Sequence, residues 1–411
     1  MRVAKSSGLA IERTKVMEEI DFKWPKGFFA DGVHAGLRKK RLDMGWVVSD
    51  VPAQSAGVYT TNQFQAAPTK LTKETINKKH ELQAIIMNSA VANSCTGIEG
   101  TENAHEEQAL VASKLGIDKD LVGVASTGVI GVQLPMDKIK QGLAELQKTK
   151  NFKVTEAVLT TDTHSKTISV SFEVFGKTCT ISGFCKGSGM IKPNMATMLG
   201  FVVTDAKVAG QKLQETLVEL TNETFNQITV DGDTSTNDMV VVMANGQAMQ
   251  DEPELSEGSE YEVFKADLKH VLGFLAKEIA RDGEGATKLV EANVNGAYSK
   301  EDAQHVAKAI VGSNLVKAAL FGEDANWGRI IDAIGSTNAK LKIDSVDIAL
   351  NKTKIVEHSL GLDFDEEALK EKLKSDEIVI DVELNNGDFK GQAWGCDLTY
   401  KYVQINASYR S

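Results

Sequence analysis

The sequence predicts a layered α/β fold in which stacked sheets are covered by helices. Three observations support this prediction: helical and strand-like patterns alternate along the chain, strands of alternating and of continuously apolar character both occur, and 34 glycines stand against only 6 prolines. Alternating strands bury one face of a sheet and continuously apolar strands bury both, so the mixture is typical of sheets packed between other layers. A chain of 411 residues has room for two or three domains or for one large layered domain.

The helices are predicted from apolar residues that recur every three or four positions. Gly116 follows the first pattern as a C-terminal cap, Pro135 suits the first turn of the second helix, and Asp365 is a suitable N-cap for the last. The predicted helices cover residues 102–115, 135–146, 209–226, 264–281 and 365–374.

Short apolar runs between these helices predict strands. Asn386-Gly387 has the sequence of a two-residue hairpin turn. Because the last run is β-like and the tail carries two tyrosines, we expect the C-terminus to be docked on the protein rather than frayed. The acidic stretch 251–260 fits either an internal domain boundary or a plain surface loop. The predicted strands cover residues 85–87, 122–124, 168–174, 199–203, 239–243, 289–294, 378–384 and 402–405.

Composition and charge exclude several classes of partner. The net charge of −11 disfavours nucleic acid and anionic membranes, and no apolar run approaches the length of a membrane span. The N-terminus has no export signal, so we expect a cytoplasmic protein. Four scattered cysteines without a CxxC pair agree with reduced, mostly buried thiols: Cys95, Cys179, Cys185 and Cys396.

The stretch from Lys186 to Gly200, KGSGMIKPNMATMLG, carries most of the chemistry that the sequence indicates. Its glycines let backbone N–H groups converge on an anion, and Lys186 is either a cation beside the reacting group or a solvated lysine. If the Ala196–Thr197 bond is broken, Thr197 gains a free α-amine that can act as the base for its own Oγ. The stretch is not a phosphate-binding P-loop, because no Lys-Ser/Thr pair follows the glycines at the required spacing.

Three further clusters have both a functional and a plain structural interpretation. Thr127-Gly128 follows a predicted strand and can form an oxyanion hole or a simple β-turn. Thr160-Thr161-Asp162-Thr163 places hydroxyls around a carboxylate, as substrate sites and helix caps both do. Glu284 lies between two glycines, where it can meet a substrate ammonium or be an exposed acid after a helix.

No cofactor or metal ion is expected. Residues 231–242 begin like a calcium loop, yet they lack the glycine and the final glutamate that such a loop requires. The 7 histidines are dispersed and form no HExxH motif.

Taken in order, these clusters resemble the ornithine acetyltransferase family, also called glutamate N-acetyltransferases, of the cyclic arginine pathway. The likeness runs nearly from end to end, and its most specific part is the Met-Ala-Thr-Met-Leu-Gly core at 195–200. Other matching segments are Pro25–Phe28, Gly57–Asn62, Asn93–Gly97, Ser126–Gly131, Thr160–Thr163, Gly283–Leu289, Phe321–Asp324, Asn326–Arg329, Ala393–Thr399 and Asn406–Ser411.

The resemblance implies that the chain cuts itself between Ala196 and Thr197, which gives an α chain of residues 1–196 and a β chain of residues 197–411. It implies an αββα sandwich with the logic of N-terminal-nucleophile hydrolases, a smaller C-terminal α/β part, and an α₂β₂ assembly. Thr197 matches the nucleophile, and Thr127 and Gly128 match the oxyanion hole. Matches to the substrate-contacting positions are Thr160, Lys186, Thr197, Glu284, Asn406 and Ser411.

The implied activity is ping-pong transfer of an acetyl group from N-acetylornithine to glutamate through an acetyl-Thr197 ester. Some family members also take acetyl-CoA as donor, and no residue here decides that point. The alternatives are an N-terminal-nucleophile amidohydrolase or aminopeptidase with water as acceptor, and a small-metabolite binding protein without catalysis.

Four positions depart from the family pattern. Ala90-Val91 stands in place of the usual Gly-Asn, Ala325 in place of Pro, and Ser411 in place of a terminal Thr. Serine keeps the hydroxyl. The change at Ala90-Val91 removes polarity near the expected site, so it bears on fine specificity rather than on the reaction class.

Overall fold

Two β-sheets, each covered by helices, organise the chain. The computed structural model describes residues 17–192 and 198–408. In chain order, the strands of these ranges are β1 (Glu18–Ile20), β2 (Phe28–Val33), β3 (Met44–Tyr59), β4 (Glu81–Asn88), β5 (Val122–Ser126), β6 (Lys166–Val174), β7 (Lys177–Lys186), β8 (Leu199–Thr204), β9 (Met239–Ala244), β10 (Leu289–Ala297), β11 (Asp347–Leu350), β12 (Thr353–Glu357), β13 (Leu360–Gly361), β14 (Glu377–Glu383) and β15 (Phe389–Cys396).

Helices connect and cover these strands. Within the described ranges, no helix is both long and apolar enough to cross a membrane. The helices are α1 (Ala67–Lys79), α2 (Gly97–Leu115), α3 (Met136–Glu145), α4 (Lys153–Ala157), α5 (Gly210–Glu223), α6 (Gly258–Arg281), α7 (Lys300–Gly312), α8 (Asn314–Phe321), α9 (Trp327–Gly335), α10 (Glu366–Leu373) and α11 (Tyr400–Ser408).

The larger sheet has the order β1-β6-β7-β8-β9-β3-β4-β5, with β2 paired to β3. Strand β3 is 16 residues long and joins the two halves of this sheet. Its first part pairs with β2 and β4, whereas Gln54–Tyr59 pair with β9. A shift of register between Val48 and Ala53 marks the place where the strand passes from one half to the other.

The two halves of the larger sheet pack face to face. Val47 and Ile85 of one half share an inner core with Phe201 and Val241 of the other. The outer face of β6–β9 is covered by α5 and α6, and the outer face of β3–β5 by α1, α2 and α3. The layers therefore run helix, sheet, sheet, helix, and the predicted αββα sandwich is confirmed.

The smaller sheet has the order β13-β12-β11-β14-β10-β15. Strand β10 is parallel to β14 on one side and antiparallel to β15 on the other. Apolar side chains from one face of this sheet form a core with α7, α8, α9 and α10. This unit is the smaller C-terminal α/β part that the sequence predicts.

Most of the predicted helices and strands are present, and two local predictions are wrong. Asp365 caps α10 as expected, since its side chain accepts a hydrogen bond from the Ala368 N–H. Asn386-Gly387 is not a hairpin turn, because β10 lies between the two strands that it connects. Residues 402–405 are helical rather than extended, as part of α11. The division at 196/197 and the internal boundary near 251–260 stay predictions.

Candidate active site

A cavity of about 200 Å³ lies where the ends of β5 and β7 meet the end of α6 and the C-terminal helix α11. Met198 and Leu199, which follow Thr197 in sequence, also line it. Thr197 itself, the predicted cleavage residue Ala196, and Ser411 lie outside the described residues. The predicted site residues that the structure brings together around the cavity are Thr127, Gly128, Thr160, Lys186, Glu284 and Asn406.

The predicted oxyanion loop leaves β5 and lies against the segment that follows β4. The Thr127 N–H donates to the Asn88 carbonyl at 3.0 Å, and this contact continues the pairing of β4 with β5 by one step. Gly128 has a φ of +133°, and a Cβ atom there would stand 2.2 Å from the carbonyl carbon of Ala90. The site therefore requires glycine at this position, because any side chain would displace the backbone that presents the N–H.

A buried asparagine that sequence reasoning missed holds this loop in place. Asn237 precedes β9, and its side-chain amide donates to the Ala92 carbonyl at 2.6 Å and to the Ser126 carbonyl at 2.8 Å. It thereby ties the two segments that form the oxyanion loop to the central strands of the sandwich. Ala90, one of the departures from the family pattern, has a φ of +79°, and its neighbour Val91 is buried against Thr127.

Lys186 is the last residue of β7, and its side chain is buried in the cavity wall. Its Nζ donates to Thr127 Oγ1 at 3.3 Å. Since the lysine occupies a lone pair of that hydroxyl, the hydroxyl hydrogen is available to a developing oxyanion. Burial lowers the pKa of the Lys186 ammonium, and Asp162 opposes that effect.

A buried ionic network fixes the segments that carry Thr160 and Lys186. The Lys166 Nζ donates to Asp162 at 2.7 Å and to Asp282 at 2.5 Å, and all three side chains are nearly inaccessible to solvent. Asp162 also accepts the N–H of Thr160 at 2.9 Å and that of Gly187 at 2.6 Å. Burial alone would raise the pKa of Asp162, yet these lysines and N–H groups hold it well below its usual range.

Glu284 follows the end of α6 and is buried, so it is not the exposed acid of the plain structural interpretation. Its N–H donates to the Ser188 carbonyl at 2.9 Å, and its Oε2 accepts the side-chain amide of Asn406 at 2.7 Å. A Cβ atom on Gly189 would stand 2.3 Å from the Glu284 Cδ. The glycine of the central motif therefore makes room for a carboxylate beside the cavity.

Helix α11 is docked at the mouth of the cavity, as expected, although the sequence predicted a strand. Thr399 caps it, accepting the Lys401 N–H at 3.1 Å. Gly285, with a φ of +72°, lets the helix approach so closely that a Cβ atom there would stand 2.8 Å from the Lys401 Cβ. Tyr402 lines the cavity beside Asp231 and Glu284, and burial, followed by these carboxylates, raises the pKa of its phenol.

Comparison with known proteins identifies the family of this chain. A family model described as the ArgJ family matches residues 29–411. The chain belongs to the ArgJ family. A relative from Lactiplantibacillus plantarum, named arginine biosynthesis bifunctional protein ArgJ, is 59% identical over 395 residues, which cover 96% of this chain and 98% of that protein. A relative of the same name from Staphylococcus saprophyticus is 51% identical over 394 residues, with 95% of each chain covered.

Membership of the ArgJ family confirms the resemblance inferred from the sequence and, with it, the prediction of an enzyme of arginine biosynthesis. Among solved structures, the arginine biosynthesis bifunctional protein from Bacillus halodurans is 50% identical and covers 51% of this chain and 98% of that chain, with a TM-score of 0.49. The ornithine acetyltransferase of Mycobacterium tuberculosis, complexed with ornithine, is 33% identical and covers 44% of this chain and 100% of that chain, with a TM-score of 0.41.

The cavity of this ArgJ-family chain is rich in charged groups that the motifs did not reveal. Carboxylates face it from two segments, residues 231–238 and Glu284, and Lys186 is the lysine among its described lining residues. A cavity of this kind suits a small molecule that carries both an anionic and a cationic group. The lining residues that sequence reasoning missed include Asp231, Asp233, Asn237, Asp238 and Tyr402.

Proposed function

We propose that this chain transfers an acetyl group from N-acetylornithine to glutamate through an acetyl ester on Thr197. One observation carries the proposal: Thr127 and Gly128, a buried lysine and a buried carboxylate line the same cavity as Met198, the residue after Thr197. The family supports the same reaction class, since the relatives are named bifunctional proteins of arginine biosynthesis.

The nucleophile is generated by self-cleavage. The Thr197 Oγ adds to the carbonyl carbon of Ala196, the peptide C–N bond breaks, and the hydroxyl proton passes to the nitrogen. Water then hydrolyses the resulting ester, which leaves a carboxylate on Ala196 and both a free amine and a hydroxyl on Thr197. The products are an α chain of residues 1–196 and a β chain of residues 197–411, and together they gain the mass of one water molecule.

In the first half of the transfer reaction, the Thr197 amine accepts the proton of its own Oγ as that oxygen attacks the acetyl carbonyl. The Thr127 hydroxyl and the Gly128 N–H stabilise the oxyanion, and one such donor contributes on the order of 3 kcal/mol. Collapse breaks the C–N bond, the proton passes to the departing amine, and ornithine leaves. The neutral amine of glutamate then attacks the ester, and N-acetylglutamate leaves with Thr197 regenerated.

Charge complementarity explains how one cavity serves both substrates. Both amino acids carry an α-carboxylate, for which buried Lys186 is the partner, and its contact with Thr127 places that charge beside the oxyanion hole. Glu284, together with Thr160 and Asn406 on the cavity wall, binds the side-chain ammonium of ornithine. The side-chain carboxylate of glutamate takes a different pose or meets Glu284 through a bridging water.

The purified protein tests the proposal in two steps. Intact-mass analysis is expected to show two chains whose masses sum to 44.5 kDa plus one water. Incubation with N-acetylornithine is expected to add one acetyl group to the β chain, and glutamate is expected to remove it as N-acetylglutamate. Thr197→Ala is expected to remain one uncut, inactive chain, and an active Thr197→Ala protein would end the proposal.

The acceptor decides between transfer and hydrolysis. An amidohydrolase would release free acetate at the same rate with or without glutamate, and a binding protein would give neither cleavage nor acetyl-Thr197. A parallel incubation with acetyl-CoA and glutamate shows whether the chain also uses that donor.

We further propose that the two chains assemble as α₂β₂ in the cytoplasm. Sedimentation tests the assembly, and cell fractionation tests the location.

A further inference from the structure

The loop that precedes β9 holds the backbone just before the proposed cleavage segment. The two oxygens of Asp231 accept the N–H groups of Met190 and Ile191, at 2.6 Å and 2.7 Å. Met190 has a φ of +58°, a left-handed conformation that is uncommon for a residue with a side chain. The carboxylate therefore stabilises a turn that the local sequence does not favour on its own.

Further bonds extend this attachment to the described residues on either side of residues 193–197. The Ile191 carbonyl accepts the Val230 N–H at 2.7 Å, and the Lys192 carbonyl accepts the Thr234 hydroxyl at 2.9 Å. On the downstream side, the Met198 carbonyl accepts the Met239 N–H at 3.0 Å. Both ends of the segment are thus fixed to one continuous stretch, residues 230–239.

The stretch itself is anchored from two sides. Lys317 of α8 is buried, and its Nζ donates to the Val230 carbonyl, so the loop rests on the smaller α/β part. On the cavity side, the Asn237 side-chain amide donates to the Ala92 and Ser126 carbonyls, so the stretch also rests on the central strands of the sandwich. Asp231 is therefore carried by a stretch that is fixed on both sides.

We propose that Asp231 is a positioning residue for self-cleavage between Ala196 and Thr197. The inference rests on the proposed function, in which the Thr197 Oγ must reach the Ala196 carbonyl carbon. That attack is intramolecular, and its rate depends on how narrowly the entering chain is confined. By fixing Met190 and Ile191, Asp231 restricts the direction in which the chain enters the cleavage segment. Asp231 takes no part in the bond changes themselves, which involve the Thr197 Oγ, the Ala196–Thr197 bond and water.

A time course of cleavage tests this role. Chains are made in a cell-free translation system with a short labelling pulse, and the fraction cut is followed by intact mass. Asp231→Asn keeps one acceptor oxygen, so we expect cleavage to slow roughly tenfold; Asp231→Ala removes both acceptors, so we expect roughly a hundredfold. Thr234→Val, which removes only the bond to the Lys192 carbonyl, is expected to slow cleavage by a few fold.

Asp347→Asn is the matched control. Asp347 also accepts a backbone N–H of a left-handed turn, that of His358 at 2.8 Å, but it lies in the smaller sheet. It is expected to cleave at the wild-type rate. If Asp231→Asn cleaves faster than Asp231→Ala while the two variants have equal thermal midpoints, the difference in cleavage rate reflects positioning and not a general loss of stability.

The outcomes separate the two proposals. A wild-type chain that never cleaves refutes the proposed function. Wild-type cleavage with an unchanged rate in Asp231→Asn and in Thr234→Val overturns the positioning role alone, and these mild variants decide the matter even where Asp231→Ala does not fold. An equal slowing in Asp347→Asn would also overturn it.

Discussion

At Gly128 the backbone lies so close to the neighbouring segment that a side chain would clash with it. The clash of a Cβ atom with Ala90 lies against backbone atoms, which cannot rotate away as the end of a side chain can. Gly128→Ala is therefore expected to move the N–H of the proposed oxyanion hole and to lower kcat for acetyl transfer roughly a hundredfold or more.

Gly131 supplies the control for this prediction, because it has a φ of +79° and open space around its Cβ position. Gly131→Ala shares the backbone strain without the clash, so it is expected to lose stability and to keep its turnover. Steady-state kinetics of both variants give the comparison, and equal turnover in Gly128→Ala and the wild type would contradict the role of the loop.

Ala90 holds a left-handed backbone conformation although it carries a side chain, which packs against the edge of a hydrophobic cluster. Its left-handed φ of +79° costs an L-residue about 1 kcal/mol relative to glycine. Ala90→Gly is expected to stabilise the protein and to raise its thermal midpoint by about 1–2 °C. Calorimetry checks this; Ala92→Gly, at a buried position without a positive φ, should lower the midpoint instead.

The residues that sequence reasoning found and those it missed differ in how they act. Thr127, Lys186 and Glu284 belong to recognisable motifs, and the structure brings them to one cavity from distant parts of the chain. Asp231 and Asn237 act by accepting or donating bonds to backbone groups 40 or more residues away. The fold determines which backbone groups these side chains reach, so the local sequence does not reveal the contacts. The one signal in the sequence is the run of polar residues at 231–238, just before a buried strand.

Among the elements, α11 shows where local patterns fail. Tyr402, Val403 and Ile405 are types that favour strands, and the helix buries no residue fully. Its conformation depends on tertiary contacts as well as on the local Thr399 cap: the Thr399 hydroxyl donates to the Gly285 carbonyl at 2.7 Å, and Gly285 permits the close approach of the helix. The long amphipathic helices α2, α5 and α6 were predictable because burial of one face repeats along their whole length.

Because α11 is docked at the mouth of the cavity, we expect it to exclude water from the proposed acetyl ester. Deletion of residues 406–411 removes the Asn406 bond to Glu284, so hydrolysis is expected to rise relative to transfer. The ratio of acetate to N-acetylglutamate measures this effect. Val403→Ser, on an exposed position of the same helix, is expected to leave the ratio unchanged. An unchanged ratio in the deletion variant would remove the sealing role.

For the molecule as a whole, one buried acid sets a dependence of stability on pH. Glu107 of α2 is fully buried, and neither carboxylate oxygen has a hydrogen-bond partner among the described residues. Burial raises the pKa of its carboxyl from 4.5 to about 8. Between these values the unfolded chain loses the proton and the folded chain keeps it, so stability falls as pH rises and levels off above pH 8.

Glu107→Gln removes this proton linkage without changing the shape of the side chain. At pH 8.5 the variant is expected to be more stable than the wild type by about 3–5 kcal/mol, and the gain should shrink as the pH approaches 5. Thermal midpoints across this range provide the measurement. A constant difference between variant and wild type at all pH values would show that Glu107 does not carry the effect.

The order of strands in the larger sheet has a consequence for the two chains that the proposed self-cleavage would produce. Strands β8 and β9, which follow the proposed cut, lie between β7 and β3, which precede it. The two product chains therefore share one sheet, and neither can dissociate without breaking the strand pairs β7–β8 and β9–β3 at its centre. Folding has to come first and scission second, and the mature protein can then re-form only by a bimolecular encounter. Its recovery from denaturant should slow on dilution, whereas that of the uncut Thr197→Ala chain should not.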